Sequence, residues 1–216
     1  AWFRLPERAR SDLEIVVPTG NFGNVLAGWM LTRMGVELPF FRIATNQNDI
    51  LYRLFQSGVY EVTNVSPSVA PSMDIQVASN FERFLYYMKD QDPAAVKAIM
   101  REFLDTGRYE FEGFRSERFR ASRSDDASIL RNIREAYRRY GFVADPHTAC
   151  AFEDPAPGVA RLVMSTAHPA KFPDAIAEAL DIQVTHPTLE ALKSKPMVRH
   201  ELRSDPGEIR DFIEAR

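Results

Sequence analysis

One cysteine in 216 residues, Cys150, leaves no intrachain disulfide framework and no cysteine-based zinc site. It fits a reducing compartment, and a cytoplasmic protein is expected. No apolar run approaches the roughly 20 residues that a membrane span requires, and the N-terminus lacks the h-region of a signal peptide. Basic charge is not in excess: 27 Lys and Arg stand against 30 Asp and Glu, for a net charge of −3. That balance speaks against a general nucleic-acid or anionic-membrane surface and leaves small molecules and proteins as partners. HExxH, paired Cys/His spacing and DxDxDG are all missing, so no metal is expected from the 4 histidines. No GxSxG nucleophile elbow, GxGxxG dinucleotide loop or GK[ST] phosphate loop occurs.

What is present is organised around VVPTGNFGNVLAG, Val16 to Gly28. The apolar run Ile15-Val16-Val17 stops at Pro18, two glycines and two asparagines follow, and then Val25, Leu26, Trp29, Met30 and Met34 recur at helical spacing up to Gly35. Strand, turn and helix follow one another. Backbone N–H groups at such a helix N-terminus suit an anion, most simply a phosphate. Glycine spacing alone reads equally well as a tight strand-to-helix connection.

Phe40 to Thr45 reads as a second strand, completing a β-α-β unit with a parallel crossover. Thr45-Asn46-Gln47-Asn48-Asp49 closes it, where open α/β sheets bind ligands, and Asn48 or Asp49 can cap the next helix. The Ser-, Pro- and Asn-rich stretch from Thr63 to Ser72 reads as an irregular loop. Three helical stripes follow, through Phe81 to Met88, Val96 to Leu104 after Asp92-Pro93, and Ile129 to Tyr140 after Asp125. Arg115, Arg118, Arg120 and Arg123 are balanced by nearby carboxylates and read as a solvated surface. Asp145-Pro146-His147-Thr148-Ala149 enters a short helix with Asp145 as its cap. Arg161 to Thr166 is the next strand, followed by Ala167-His168-Pro169-Ala170-Lys171 and a helix through Ile176 and Leu180. The tail reads as packing or oligomer contact.

The expected fold class is α/β: part of a doubly wound parallel sheet with flanking helices. Its parts are a βαβ unit over 1–60, a largely helical insertion over 61–141, and a return to the sheet with a tail over 142–216. Ala1-Trp2-Phe3-Arg4-Leu5 looks like the tail of an amphipathic helix, which suggests a piece of a longer protein.

PTGNFGN (Pro18 to Asn24), ATNQNDIL (Ala44 to Leu51), SMDIQVASNFERFLY (Ser72 to Tyr86), DPHTA (Asp145 to Ala149) and STAHPAKFPDAI (Ser165 to Ile176) together resemble the threonine synthase family. The resemblance covers the chain to about Leu180 and is greatest with the longer form found in bacteria and fungi. It implies a fold-type II enzyme using pyridoxal 5′-phosphate (PLP) to convert O-phospho-L-homoserine and water into threonine and phosphate. It assigns Gly20, Asn21, Phe22, Gly23 and Asn24 to the cofactor phosphate and Thr148 to the hydroxyl facing the pyridine nitrogen. Ser72, Asp74, Asn80, His168 and Lys171 fall in blocks implied to contact substrate or wall the site.

The family's Schiff-base lysine lies in an earlier SFKD-like block that this chain does not have. All five lysines, Lys89, Lys97, Lys171, Lys193 and Lys195, follow the phosphate loop, and none matches that position. The expectation is therefore the C-terminal half of the enzyme, inactive alone, with an N-terminal half as its partner. The alternatives are a phospho-lyase acting on a related amino-acid phosphate ester and a non-catalytic anion-binding module.

Overall fold

The computed structural model describes residues 4–6, 10, 13–114, 118–153 and 159–215. Leu13–Pro18 forms β1 and Phe41–Thr45 forms β2, every residue of both being buried. Strands covered on both faces are buried along their whole length in this way. Between them Gly23–Arg33 forms α1, and β1 pairs parallel with β2, Ile15 opposite Phe41 and Val17 opposite Ile43. Phe119–Arg123 (β5) and Ala160–Val163 (β6) extend the sheet in the order β5-β2-β1-β6, all parallel. Val59–Glu61 (β3) and Arg108–Glu110 (β4) form a separate antiparallel pair.

Helices lie on both faces. On one, Ile15, Val17, Phe41, Ile43, Phe119 and Ala121 pack with α1, with α2 (Ile50–Ser57), and with α3 (Phe81–Met88) and α4 (Pro93–Thr106). On the other, Val16, Ala44 and Val163 meet α5 (Asp126–Tyr140), the short α6 (Pro146–Ala149) and α7 (Pro173–Leu180). Alternate residues of each strand thus supply two cores, as the pleat requires. The second face ends in charge. Glu14, 2% exposed, takes Arg42 at 2.9 Å, Arg161 at 3.2 Å and Arg120 at 3.7 Å.

The 61–141 stretch, expected to be largely helical, contains α3, α4 and α5 but also gives the sheet its edge strand β5. The arginines in and just before that strand are not simply solvated. Arg120 pairs with Glu14 and Arg123 with Asp49 at 2.6 Å, while Arg118 donates to the Leu38 carbonyl; Arg115 lies outside the described residues.

Caps act locally where the sequence places them. Asp92 accepts from the N–H groups of Ala94 and Ala95 to open α4, Asp125 accepts from Ser128 to open α5, and Gly107 and Gly141 end those helices at positive φ. Asp49 stands at the start of α2 without capping it, its carboxylate being taken by Arg53 and Arg123.

Residues 1–184 form one compact unit and residues 185–216 a second. The second contains α8 (Pro187–Lys193), opened by the His186 side chain, and α9 (Pro206–Glu214), opened by Asp205. No helix among the described residues is long and apolar enough to cross a membrane, and no cluster of three or more His, Cys, Asp or Glu suited to a metal occurs among them.

Candidate functional site

Because all four sheet strands run the same way, the loops after β1, β2 and β6 emerge at one edge, the carboxyl edge, where such sheets bind ligands. A cleft of about 260 Å³ opens there. It is lined by Pro18 to Asn24, Ser72, Met73, His147 and Thr166.

The floor is the turn between β1 and α1. Thr19 N–H donates to the Ala44 carbonyl and its hydroxyl to the Val17 carbonyl, so this side chain is folded back onto the strand. The first intrahelical bond of α1 runs from Leu26 N–H to the Phe22 carbonyl at 3.0 Å. The N–H groups of Gly23, Asn24 and Val25 precede it and have no intrahelical acceptor. Added to the helix dipole, they make the cleft floor electropositive without any charged side chain.

Phe22 takes a left-handed conformation, φ 63°, to make this turn. For a residue with a Cβ that costs about 1–2 kcal/mol. Its ring offsets the cost: fully buried, it packs on Phe55, Phe81, Phe84 and Phe119. Phe22 therefore gives the cleft its backbone and the core its side chain. The two glycines also differ. A Cβ on Gly20 would lie 3.2 Å from Met73 Cα and 3.3 Å from the Ser72 carbonyl, so glycine there admits the 71–75 segment. A Cβ on Gly23 would meet only Asn80 Nδ2, at 3.5 Å.

The wall is the segment from 70 to 80. Ser72 lines the cleft, and its N–H donates to His147 Nε2 at 3.1 Å. Asn80 clasps the floor, its backbone N–H and its side-chain amide both donating to the Asn21 carbonyl. Asp74 lies behind the wall. Its carboxylate accepts from Asn46 at 2.6 Å, from Asn48 at 2.9 Å and from the Ser68 N–H and hydroxyl, tying the loop after β2 to the irregular 62–76 loop. The polar cluster after β2 thus shapes the wall and does not line it.

The third side is the turn at α6. Asp145 caps it, accepting from the N–H groups of His147 and Thr148, from His147 Nδ1 at 3.2 Å, from the Thr148 hydroxyl, and from Ala167 N–H at 3.3 Å. Burial works against the ionised carboxylate, but the donors His147 and Thr148 outweigh it and hold Asp145 below the ordinary carboxylate range. Since His147 Nε2 is an acceptor from Ser72, its ring hydrogen sits on Nδ1, facing Asp145. Cys150, at the end of this turn, is fully buried, and burial followed by the Asp145 charge pushes its thiol up and out of reactivity.

Thr148 is buried, and its Oγ1 lies 3.2 Å from Thr166 Oγ1 while accepting from Thr166 N–H at 3.1 Å. Thr166, exposed, is the one of the pair on the cleft wall. Sequence reasoning passed over Thr166 and His147 as site residues, although both lie inside the DPHTA and STAHPAKF blocks. The signal available was position: Thr166 closely follows a strand at the ligand-binding edge. His168 and Lys171 stand beyond it in the same loop, exposed. His168 Nδ1 accepts from Ala170 N–H, and the Lys171 ammonium sits 6.0 Å from the centre of the Phe172 ring, which itself packs on His147.

The family described as "Threonine synthase, C-terminal" matches residues 146–213. Threonine synthase of Methylobacillus glycogenes is 35% identical over 98% of this chain and 48% of its own length. The crystal structure of PLP-bound threonine synthase from Brucella melitensis superposes with a TM-score of 0.80 at 33% identity, over 99% of this chain and 47% of that one. That of threonine synthase from yeast superposes at 0.79 and 29% identity, over 96% of this chain and 48% of that one. The chain spans about half the length of the curated relatives it matches. Matched along nearly its whole length in sequence and in fold, with the glycine turn after its first strand at the ligand edge, the chain belongs to the threonine synthase family.

Proposed function

We propose that the cleft is the phosphate end of a PLP site and that the full-length protein converts O-phospho-L-homoserine and water into threonine and phosphate. The observation that carries this reading is that α1 begins at a cleft on the sheet's carboxyl edge, with Gly23 and Asn24, whose N–H groups precede the helix's first intrahelical bond, among the lining residues. The residues fit the group. A phosphate dianion needs several N–H donors and close backbone approach, and Gly23 leaves room for that approach, its added Cβ meeting nothing nearer than 3.5 Å.

Bound there, PLP would supply the electron sink for carbanion chemistry at the substrate. The chain's own residues divide the remaining work. Gly20 to Asn24 hold the phosphate by main chain, and Asn80 keeps the turn in shape through the Asn21 carbonyl. Thr166 takes the position facing the ring nitrogen that the resemblance gives to Thr148, because Thr166 reaches the cleft wall and Thr148 stands behind it. Ser72 and His147 close the wall and limit water. Asp74 acts through the loops it ties together. His168 and Lys171, exposed beyond Thr166, are assigned to the substrate side, where an ammonium suits a phosphate ester. Of the lysines in the 1–184 unit, Lys89, Lys97 and Lys171, none lines the cleft, and none of the chain's five lysines matches the family's Schiff-base position, so that lysine's proton transfer is assigned to a residue outside this chain.

The full-length protein incubated with O-phospho-L-homoserine should release phosphate and threonine in equal amounts. Phosphate without threonine, from this or a related ester, would identify a phospho-lyase instead. Neither product, with no PLP retained, would leave an anion-binding module.

A further inference from the structure

Two threonines and one aspartate form a chain of hydrogen bonds that ends at the cleft, and the direction of each bond can be worked out by counting hydrogens. Asp145 is 1% exposed and surrounded by donors: three backbone N–H groups, His147 Nδ1 and the Thr148 hydroxyl. A carboxylate so surrounded only accepts. The hydrogen between Thr148 and Asp145 is therefore Thr148's own, and a hydroxyl has no second one to give. At the 3.2 Å contact between Thr148 Oγ1 and Thr166 Oγ1, the donor must then be Thr166. Thr148 completes its two acceptor positions with the Thr166 hydroxyl and the Thr166 N–H at 3.1 Å. Nothing of Thr148 is left for a ligand. Thr166, its hydrogen directed inward, turns only lone pairs towards the cleft.

We propose that Asp145 is a positioning residue which, through Thr148, makes the Thr166 hydroxyl a hydrogen-bond acceptor towards the cleft, so that the ligand atom opposite it must be a donor. Resting on the PLP reading above, this means that a pyridine nitrogen facing Thr166 is held as N–H. A threonine facing a ring nitrogen imposes no protonation state by itself, since its hydroxyl can turn either way. Here the buried carboxylate behind it removes that choice.

The ring nitrogen reports the relay directly. The chain is titrated with ring-15N pyridoxine 5′-phosphate, which needs no lysine, and the 15N shift of the bound ring is read by NMR at neutral pH. In the unsubstituted chain the shift should lie upfield, in the range of a protonated pyridine. Thr148→Val keeps Asp145 but removes the acceptor for the Thr166 hydroxyl, and the 15N shift should move downfield towards the unprotonated range. Asp145→Asn, whose amide donates to Thr148 and reverses the relay, should do the same. An unprotonated ring in the unsubstituted chain, or a Thr148→Val variant that binds with the shift unchanged, overturns the proposal. A second readout uses no ligand. The Thr148 hydroxyl hydrogen should appear as a slowly exchanging resonance that Thr148→Val abolishes and Asp145→Asn displaces; its absence from the unsubstituted chain overturns the relay as well. Failure of pyridoxine 5′-phosphate to bind counts against the PLP reading, and the hydroxyl resonance then decides the relay on its own.

Discussion

Ser72 and His147 are 75 positions apart and joined by one hydrogen bond, 3.1 Å from the Ser72 N–H to His147 Nε2. Through it the irregular 70–75 segment is anchored to the turn at α6, and the cleft gains a wall. Replacing His147 with leucine keeps much of the packing on Phe172 but leaves that N–H unpaired and takes a donor from Asp145. Ser72 is exposed and water can take up its N–H, so the expected loss is that of one hydrogen bond, about 0.5–1.5 kcal/mol. Hydrogen exchange at the Ser72 amide should quicken more than exchange in β1 or β2, and equal acceleration throughout would show only global destabilisation.

Gly20 and Gly23 should respond differently to alanine. At Gly20 the new methyl presses on Met73 Cα at 3.2 Å and the Ser72 carbonyl at 3.3 Å, and overpacking of that kind costs about 1–3 kcal/mol. At Gly23 the methyl finds only Asn80 at 3.5 Å, so thermal stability should hold. Affinity for phosphate or pyridoxine 5′-phosphate should instead fall roughly tenfold, about 1.4 kcal/mol, as the methyl intrudes on the backbone donors. Calorimetric melting paired with ligand titration separates the two, and a destabilised Gly23→Ala with normal affinity would contradict the assignment.

Glu14 is the buried anion among Arg42, Arg161 and Arg120. Glu14→Gln keeps the shape but removes the charge that the buried Arg42 and Arg161 face, and stability should fall in denaturant unfolding, by at most about 3–5 kcal/mol. High salt should not restore it, because Glu14, Arg42 and Arg161 are buried away from screening ions.

Tyr60 is 1% exposed, and its hydroxyl accepts from the Ala78 N–H at 2.9 Å. Burial pushes its pKa up to about 12, against the smaller opposing effect of that N–H. A phenol whose folded pKa is raised favours the folded state below its ordinary pKa of about 10. That contribution disappears as pH rises through about 12. Stability should therefore fall between those two values by on the order of 2–3 kcal/mol, at 1.36 kcal/mol per unit. Tyr60→Phe should flatten that alkaline fall while leaving the Ala78 N–H unpaired at neutral pH.

Some of this was legible because it is local. The strand-turn-helix of 13–33 follows from an apolar run cut by Pro18 and two glycines, and the starts of α4 and α5 follow from Asp92 and Asp125, whose side chains reach N–H groups two or three residues ahead. The β5 strand was not legible. Phe-Arg-Ala-Ser-Arg is short and carries two arginines and a serine, as a solvated segment does, and the acids that answer Arg120 and Arg123 lie in β1 and before α2.

By itself the amino-acid sequence determined the parallel α/β plan, the glycine turn after the first strand and the family to which the chain belongs, because each rests on short-range order: period, punctuation and ordered blocks. Only the tertiary structure decided what each residue in those blocks touches. It turned the Phe22 ring into the core, put Asp74 behind the wall, and brought Thr166 rather than Thr148 to the cleft. Those outcomes depend on which face of a turn meets water, and that is settled by packing between segments far apart in the chain.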